Sequence, residues 1–341
     1  MCAAGRHTQD DSDLRRDLAV SLEVMETRYQ SVVLLSEQRE NQHAQHEPDR
    51  RIGKLVTNEP PEIDSGDPRN WETRGINGFL GHQGIRSPEL RKIGRAECAE
   101  YGVDFVSGIV DTALNETGEL FAVQLRDGTE IESRRILLAI GIKDVWPAIP
   151  GLGDCYGETV HVCPDCDGYE TRDKKTVVIG KGRKAVGMAL ALATWTKELV
   201  ICTDGAPPDM DQHLLDQLKA LNIPVLDQPI TCVKSKNKEI RGLDLEGGMS
   251  LDCERLYFAI GQYPADDLGA QLGCKRDPMG RLVIDDRNHT SVKNVYAAGD
   301  IAPGPQMAIV AAASGAVAAI AIHASLVPES RKLPELLPAQ G

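Results

Sequence analysis

Two cysteines two residues apart, Cys163-Pro-Asp-Cys166, are followed at once by Asp167-Gly168 and then, fourteen residues past the second cysteine, by Gly180-Lys-Gly182. A two-residue gap lets two thiols close a small ring and alternate between dithiol and disulfide. The shared ring also lowers one thiol pKa towards about 7, so a thiolate exists near neutral pH. Asp167, next to such a thiolate, can protonate a leaving thiol as disulfide exchange requires, or it can be a plain turn residue. Paired cysteines can also be half of a zinc site. Zinc needs four ligands, no second Cys-x-x-Cys exists, and His161 supplies only one more, so redox chemistry is the better reading.

The glycine loop has the form of a dinucleotide-phosphate cradle. Gly180 permits a tight turn, Gly182 lets backbone approach a pyrophosphate, and Ala185 is small enough for helix to lie on strand, with Gly187 beyond it. A strand Thr-Val-Val-Ile-Gly from Thr176, a helix over 184–197 and a strand up to Thr203 would make one βαβ half of a nucleotide fold. Asp204, 22 residues after Gly182, stands where an acidic side chain accepts from a ribose 2′-hydroxyl. With no arginine cluster there for a 2′-phosphate, NADH is favoured over NADPH. An ordinary Asp204-Gly205 turn is the competing reading. Redox sulfur beside a nucleotide fold implies electrons moving between a cofactor and a disulfide.

These residues need elements to hold them, and 341 residues suffice for two domains. The spacing predicts a helix within 13–36, then a short strand Ser31-Val-Val-Leu-Leu35, and a polar loop or insertion over 37–62. A strand end and turn follow at Ile63-Asp-Ser-Gly, and a helix over 87–101 is opened by Ser87 and Pro88. Strands are expected at 105–110 and 120–125, with Asp127-Gly128 as a hairpin turn. Buried strands ending in Ala-Ile-Gly recur at 136–141 and 256–261. They bracket the nucleotide unit, which suggests one domain inserted into another. The Pro/Gly-rich stretch 146–153 reads as a linker. Ala298-Gly299-Asp300 precedes an Ala-rich run, 307–326, interrupted by Ser314, Gly315 and His323; a buried helix fits it better than a membrane span.

Composition removes other classes. The balance of 51 acidic to 38 basic residues gives a formal charge of −13, unlike a nucleic-acid binder. Nine cysteines do not form a disulfide framework, and the seven outside the pair read as small apolar side chains in a reducing compartment. No apolar signal core opens the chain, so a cytoplasmic setting is expected.

Four blocks together resemble the low-molecular-weight thioredoxin reductases, within the pyridine nucleotide-disulfide oxidoreductases. They are Cys163-Pro-Asp-Cys-Asp-Gly168, Val178-Ile-Gly-Lys-Gly-Arg-Lys-Ala185, Tyr257-Phe-Ala-Ile-Gly261 and Val295-Tyr-Ala-Ala-Gly-Asp300. Gly78-Phe-Leu-Gly-His82, after Asp64-Ser-Gly-Asp-Pro-Arg-Asn70, looks like a subgroup that also includes flavin-dependent dithiol oxidases. The resemblance implies an α/β protein with two Rossmann-like domains. A discontinuous FAD domain over 1–152 and 262–330 would carry an inserted NAD(P) domain over 153–261 and form a homodimer. It implies that Cys166 faces the flavin, Cys163 attacks the substrate disulfide and Asp167 is the acid–base residue. Asp64 would bind the adenosine ribose, and Gly299 and Asp300 would lie along the flavin. Electrons would pass from NAD(P)H through FAD to the cysteines and on to a thioredoxin-like protein or small-molecule disulfide. Two alternatives are a dithiol oxidase running electrons the other way and a non-catalytic relative that binds FAD poorly. The family opens with a Gly-x-Gly-x-x-Gly loop that holds the FAD pyrophosphate. Here the first 62 residues contain only Gly5 and Gly53, so weakened FAD binding is expected.

Overall fold

The structure, a computed structural model, describes residues 31–35, 61–66, 69 and 72–332. The helix expected within 13–36 and most of the insertion expected over 37–62 lie outside these residues. The chain divides into two compact units. One comprises the described parts of Met1–Pro68, Arg91–Gly141 and Pro264–Gly341, and the other Arg69–Leu90 with Ile142–Tyr263.

The second unit is built on a parallel sheet in the order Val225–Leu226, Leu199–Cys202, Thr176–Gly180, Arg255–Ala259, Val160–His161. Its strands are apolar on both faces, as parallel strands covered on both sides must be. Val177, Ile179, Leu256 and Phe258 pack on one face, with Ile149 and Leu152. Val178, Leu199, Ile201 and Tyr257 pack on the other, under the helices Gly182–Leu192 and Gln212–Ala220. Each fully buried Val, Leu or Ile is worth about 1.5–3 kcal/mol. An antiparallel sheet, Ile230–Lys236, Glu239–Leu245 and Ser250–Asp252, completes the unit. Asn237 and Lys238, both at positive φ, form its first two-residue hairpin turn.

Three expectations need correction here. The stretch 146–153 is not a free linker: Ile149 and Leu152 are buried in the core, so the chain enters this unit at 142 rather than 153. Arg69–Leu90, expected in the other domain, belongs to this one, tied by the Arg74 N–H to the Gly157 carbonyl and by ion pairing of Arg74 with Glu158. The helix after the glycine loop stops at Leu192, not 197. Trp195 turns out of it to meet the Tyr169 ring edge-on at 5.7 Å.

The first unit carries a five-stranded sheet in the order Val295–Ala297, Arg135–Ala139, Ser31–Leu35, Pro61–Asp64, Asp104–Ser107. Four of these strands run in one direction. The central one, Ser31–Leu35, runs against both neighbours, placing Ser31 opposite Asp64 and Ala139. Beside the sheet stand a meander, Val110–Asn115, Phe121–Leu125 and Glu130–Ser133, and the helices Ser87–Glu100, Leu268–Gln271 and Ala308–Leu326. The meander turns at Asp127-Gly128 as its sequence requires, with Gly128 at φ 90°. Ala308–Leu326 is long and apolar enough to cross a membrane by length and composition. It is buried on one side only, through Ala311, Gly315, Ala318, Ala319, Ala321 and Ile322, and it exposes Val317 and Ile320. Alanines along the packed side let the helix lie close to its neighbours. The helix expected here is thus buried along one face and exposed along the other.

Candidate active site

Cys163 and Cys166 are joined as a disulfide, with Cα atoms 5.3 Å apart. Cys163 leaves the edge strand Val160–His161 in extended backbone and caps the one-turn helix Pro164–Asp167. Pro164, which has no N–H to lose, starts that turn. The Cys166 N–H points at the Cys163 sulfur from 3.1 Å, a contact that favours negative charge on that sulfur. Asp167 donates its own N–H to the Cys163 carbonyl at 3.2 Å, so the acid residue is fixed to the same turn.

A polar cluster lies under the pair. The Asp167 carboxylate stands 3.6 Å from Nδ1 of His161. Thr171 donates its hydroxyl to the Asp167 carbonyl at 3.1 Å and meets the Tyr257 hydroxyl at 2.7 Å. Burial pushes the Tyr257 phenol well above its ordinary value, with smaller upward contributions from Asp167 and Glu170. His161 is pushed down to about 3 by burial and then by the charges of Arg255 and Arg74. From the other side, the Asn77 side-chain amide donates to the Cys166 carbonyl at 3.0 Å. Asn77 and Thr171 were not legible as site residues, because nothing in their local sequence marks them, and Tyr257 stood in a block that carries the resemblance without a role being assigned to it. Among the described residues no group of three or more His, Cys, Asp and Glu converges on a metal position.

The glycine loop has the geometry that its sequence demands. Gly180 sits at φ 153°, and a Cβ there would stand 2.9 Å from the Ala259 carbonyl oxygen. Gly182, at φ 58°, is in the left-handed region that favours glycine. Ala185 is fully buried against the strand, and the helix Gly182–Leu192 starts here, its N-terminus suited to phosphate. The Gly182 N–H, however, donates to the Pro208 carbonyl at 2.8 Å. The segment 206–211 therefore covers part of the cradle, beside a cleft of about 670 Å³ lined by Arg183, Pro208, Asp209, Met210, Asp211, Leu214 and Leu215. Asp204, at φ 53°, accepts the Ile230 N–H on Oδ1 at 2.7 Å. One carboxylate oxygen thus serves the turn.

The family model for pyridine nucleotide-disulphide oxidoreductases matches residues 42–315. The chain belongs to that family. It is 24% identical over 299 residues to the "Probable thioredoxin reductase" of Arthroderma benhamiae, a match covering 78% of this chain and 74% of that one. It is 26% identical over 270 residues to a component of the alkyl hydroperoxide reductase of Pseudomonas aeruginosa, covering 76% of this chain but only 52% of that protein. The crystal structure of HlmI superposes with a TM-score of 0.73 at 30% identity, over 78% of this chain and 84% of that one. The protein is therefore an oxidoreductase with the mixed α/β, two-domain Rossmann architecture of a thioredoxin reductase-like flavoprotein.

Members of this oxidoreductase family depend in general on FAD and NAD(P)H, and the two cofactors fare differently against the residues present. The loop Gly180, Gly182 and Ala185 fits a dinucleotide pyrophosphate, since side chains at the two glycines would fill the cradle. FAD fits less well. The central strand of its sheet, Ser31–Leu35, runs against both neighbours, and the described residues of the first unit contain no glycine-rich strand-to-helix turn. Asp64 is buried, with one oxygen accepting the Gly66 N–H at 2.7 Å and the other paired with Arg91 and Arg95. Both carboxylate oxygens are thus engaged by protein groups, and the ribose role expected of Asp64 remains an expectation. Asp300 is buried in the turn Gly299–Ile301, with Gly299 at φ 74° and its N–H aimed at the Ser314 hydroxyl.

Proposed function

We propose that this chain is a disulfide oxidoreductase acting through Cys163 and Cys166 on a protein or small-molecule disulfide. The observation that carries the reading is the closed Cys163–Cys166 bond, in a turn whose next residue, Asp167, is a carboxylate held over a buried polar cluster. In the reduced pair, Asp167 accepts the Cys163 thiol proton and the thiolate attacks a substrate sulfur. The substrate disulfide breaks, one thiolate leaves and takes up that proton, and a mixed disulfide forms on Cys163. The Cys166 thiol then attacks the Cys163 sulfur, its proton passing to the departing substrate sulfur, and the second substrate thiol leaves. Two electrons pass to the substrate, and the Cys163–Cys166 bond closes.

NAD(P)H supplies a hydride when bound, and Gly180, Gly182 and Ala185 are the residues that would hold it. NADH is weakly favoured, because the turn engages Oδ1 of Asp204 and leaves the second oxygen suited to a ribose hydroxyl. A homodimer in the cytoplasm is part of the same proposal; a second copy would cover the exposed Ile320 side chain.

A second reading has one observation in its favour. With the Gly182 N–H taken by Pro208, the nucleotide cradle is partly filled by the chain itself. That suits a dithiol oxidase, in which a substrate dithiol reduces the cysteine pair and the two electrons would go on, through a flavin, to oxygen.

The deciding experiment uses the reduced chain and a small aromatic disulfide. Beyond any thiolate released by cysteines outside the pair such as Cys232, wild type should release two aromatic thiolates per chain, and Cys166→Ser should stall after one, as the mixed disulfide. Undiminished release by Cys163→Ser would place the chemistry elsewhere. Anaerobic reduction of the oxidised pair by NADH or NADPH, compared with reduction by a dithiol, separates the two directions.

A further inference from the structure

His161 takes no part in the exchange above, yet its ring lies against it. It ends the edge strand two residues before Cys163, is 7% exposed, and packs on Tyr257 with ring centroids 5.3 Å apart. Nδ1 faces the Asp167 carboxylate at 3.6 Å, while Nε2 is buried with no hydrogen-bond partner.

These two environments assign the proton. A buried N–H without an acceptor is a rarer and costlier orphan than a bare ring nitrogen. The proton therefore sits on Nδ1, towards the carboxylate, and Nε2 keeps its lone pair. Burial, with the charges of Arg255 and Arg74, pushes its pKa down to about 3, so the ring carries one proton near neutral pH. The other titratable groups around the site are the Tyr257 phenol on the neighbouring strand, Glu170 on the following turn and the two cysteines.

Neutrality has a chemical consequence. An imidazolium 3.6 Å away would bind the carboxylate charge so tightly that Asp167 would be a poor base. A neutral N–H orients the same carboxylate with a milder pull.

We infer that His161 is the positioning residue for Asp167: its neutral Nδ1–H dipole, facing the carboxylate across 3.6 Å, holds that group towards the cysteine turn and sets the pH range over which it accepts a proton. The inference rests on the proposed role of Asp167 in disulfide exchange.

The test is single-turnover exchange of the reduced chain with a small aromatic disulfide, followed against pH. The aromatic thiolate leaves without needing a proton, so the base step is isolated. His161→Phe fills the same space without the donor. It should move the acidic limb of the rate profile up by roughly one pH unit and slow exchange about tenfold at neutral pH, with two thiolates still released. His161→Asn places an amide N–H near the Nδ1 position and should return the limb towards wild type. Asp167→Asn should abolish the limb.

An unchanged limb in His161→Phe, or an Asn variant that folds yet behaves like Phe, overturns the inference and leaves the proposed function standing. A wild-type chain that does not exchange at all overturns both. Should the Phe variant fail to fold, ring-nitrogen NMR of the wild type decides. A proton on Nε2, or a ring titrating near its ordinary value, refutes the assignment.

Discussion

The side-chain amide of Asn77 donates to the carbonyl oxygen of Cys166 across 3.0 Å, although 89 residues separate the two in sequence. Asn77 is itself held: its carbonyl oxygen accepts from the Gln83 amide at 3.0 Å, and Gln83 in turn accepts the Gly78 N–H. A loop tipped by the exposed Leu80 is thereby fastened to the turn that carries the disulfide. Asn77→Leu removes the donor and should lower stability by about 1 kcal/mol. It should also speed reduction of the pair by a monothiol, because the turn is less restrained. Urea denaturation and the reduction rate read the two effects, and wild-type values for both would mean that the bond does not operate in solution.

The described cysteines outside the pair should separate by burial. Cys98, Cys155, Cys202, Cys253 and Cys274 are buried, while Cys232 is half-buried. Burial pushes the Cys202 and Cys253 thiols up to about 12, so neither supplies thiolate near neutral pH. After mild reduction, the native protein should take up alkylating reagent fast at Cys163, Cys166 and Cys232. The five buried thiols should label only on unfolding. Peptide mapping checks this, and rapid labelling of Cys202 or Cys253 would show that the core around the central parallel sheet opens.

Chemistry carried by contiguous residues was legible in the sequence. Cys163-Pro-Asp-Cys166, and the small residues Gly180, Gly182 and Ala185 between a strand and a helix, announce themselves by type and spacing, since local geometry alone requires them. Long-range pairings were not legible. No local signal places Asn77 on Cys166, because one amide in a polar loop resembles any other. The buried Ile149 and Leu152 were hidden among prolines and glycines that normally mark a linker. The reversed central strand escaped for a different reason: five apolar residues specify a strand and not its direction, and pairing with both neighbours decides that.

Asp204 tests how far a motif position may be trusted. Its Oδ1 accepts the Ile230 N–H at 2.7 Å and so ties the turn after the second nucleotide strand to the adjacent antiparallel sheet. Asp204→Asn keeps a carbonyl oxygen for that bond and should leave stability within about 0.5 kcal/mol of wild type. Asp204→Ala should cost about 1–2 kcal/mol. If the carboxylate also serves the ribose, both variants should raise the relative use of NADPH over NADH. A ratio unchanged in both, with stability lost only in Ala, would confine Asp204 to the turn.

The stability of the protein against acid should carry the signature of His161. Its pKa is lowered in the folded chain to about 3, by burial first and then by Arg255 and Arg74, from an ordinary value near 6.5. Between those values the unfolded chain binds a proton there that the folded chain does not. Stability therefore falls as pH drops from about 6.5 towards 3, by at most about 1.4 kcal/mol per pH unit from this group. His161→Phe removes the titration, so its stability should change less over pH 6 to 4 than that of wild type, which carries the same acidic residues. Urea midpoints at several pH values measure the difference. Parallel curves for the two proteins would mean that His161 takes up its proton without unfolding.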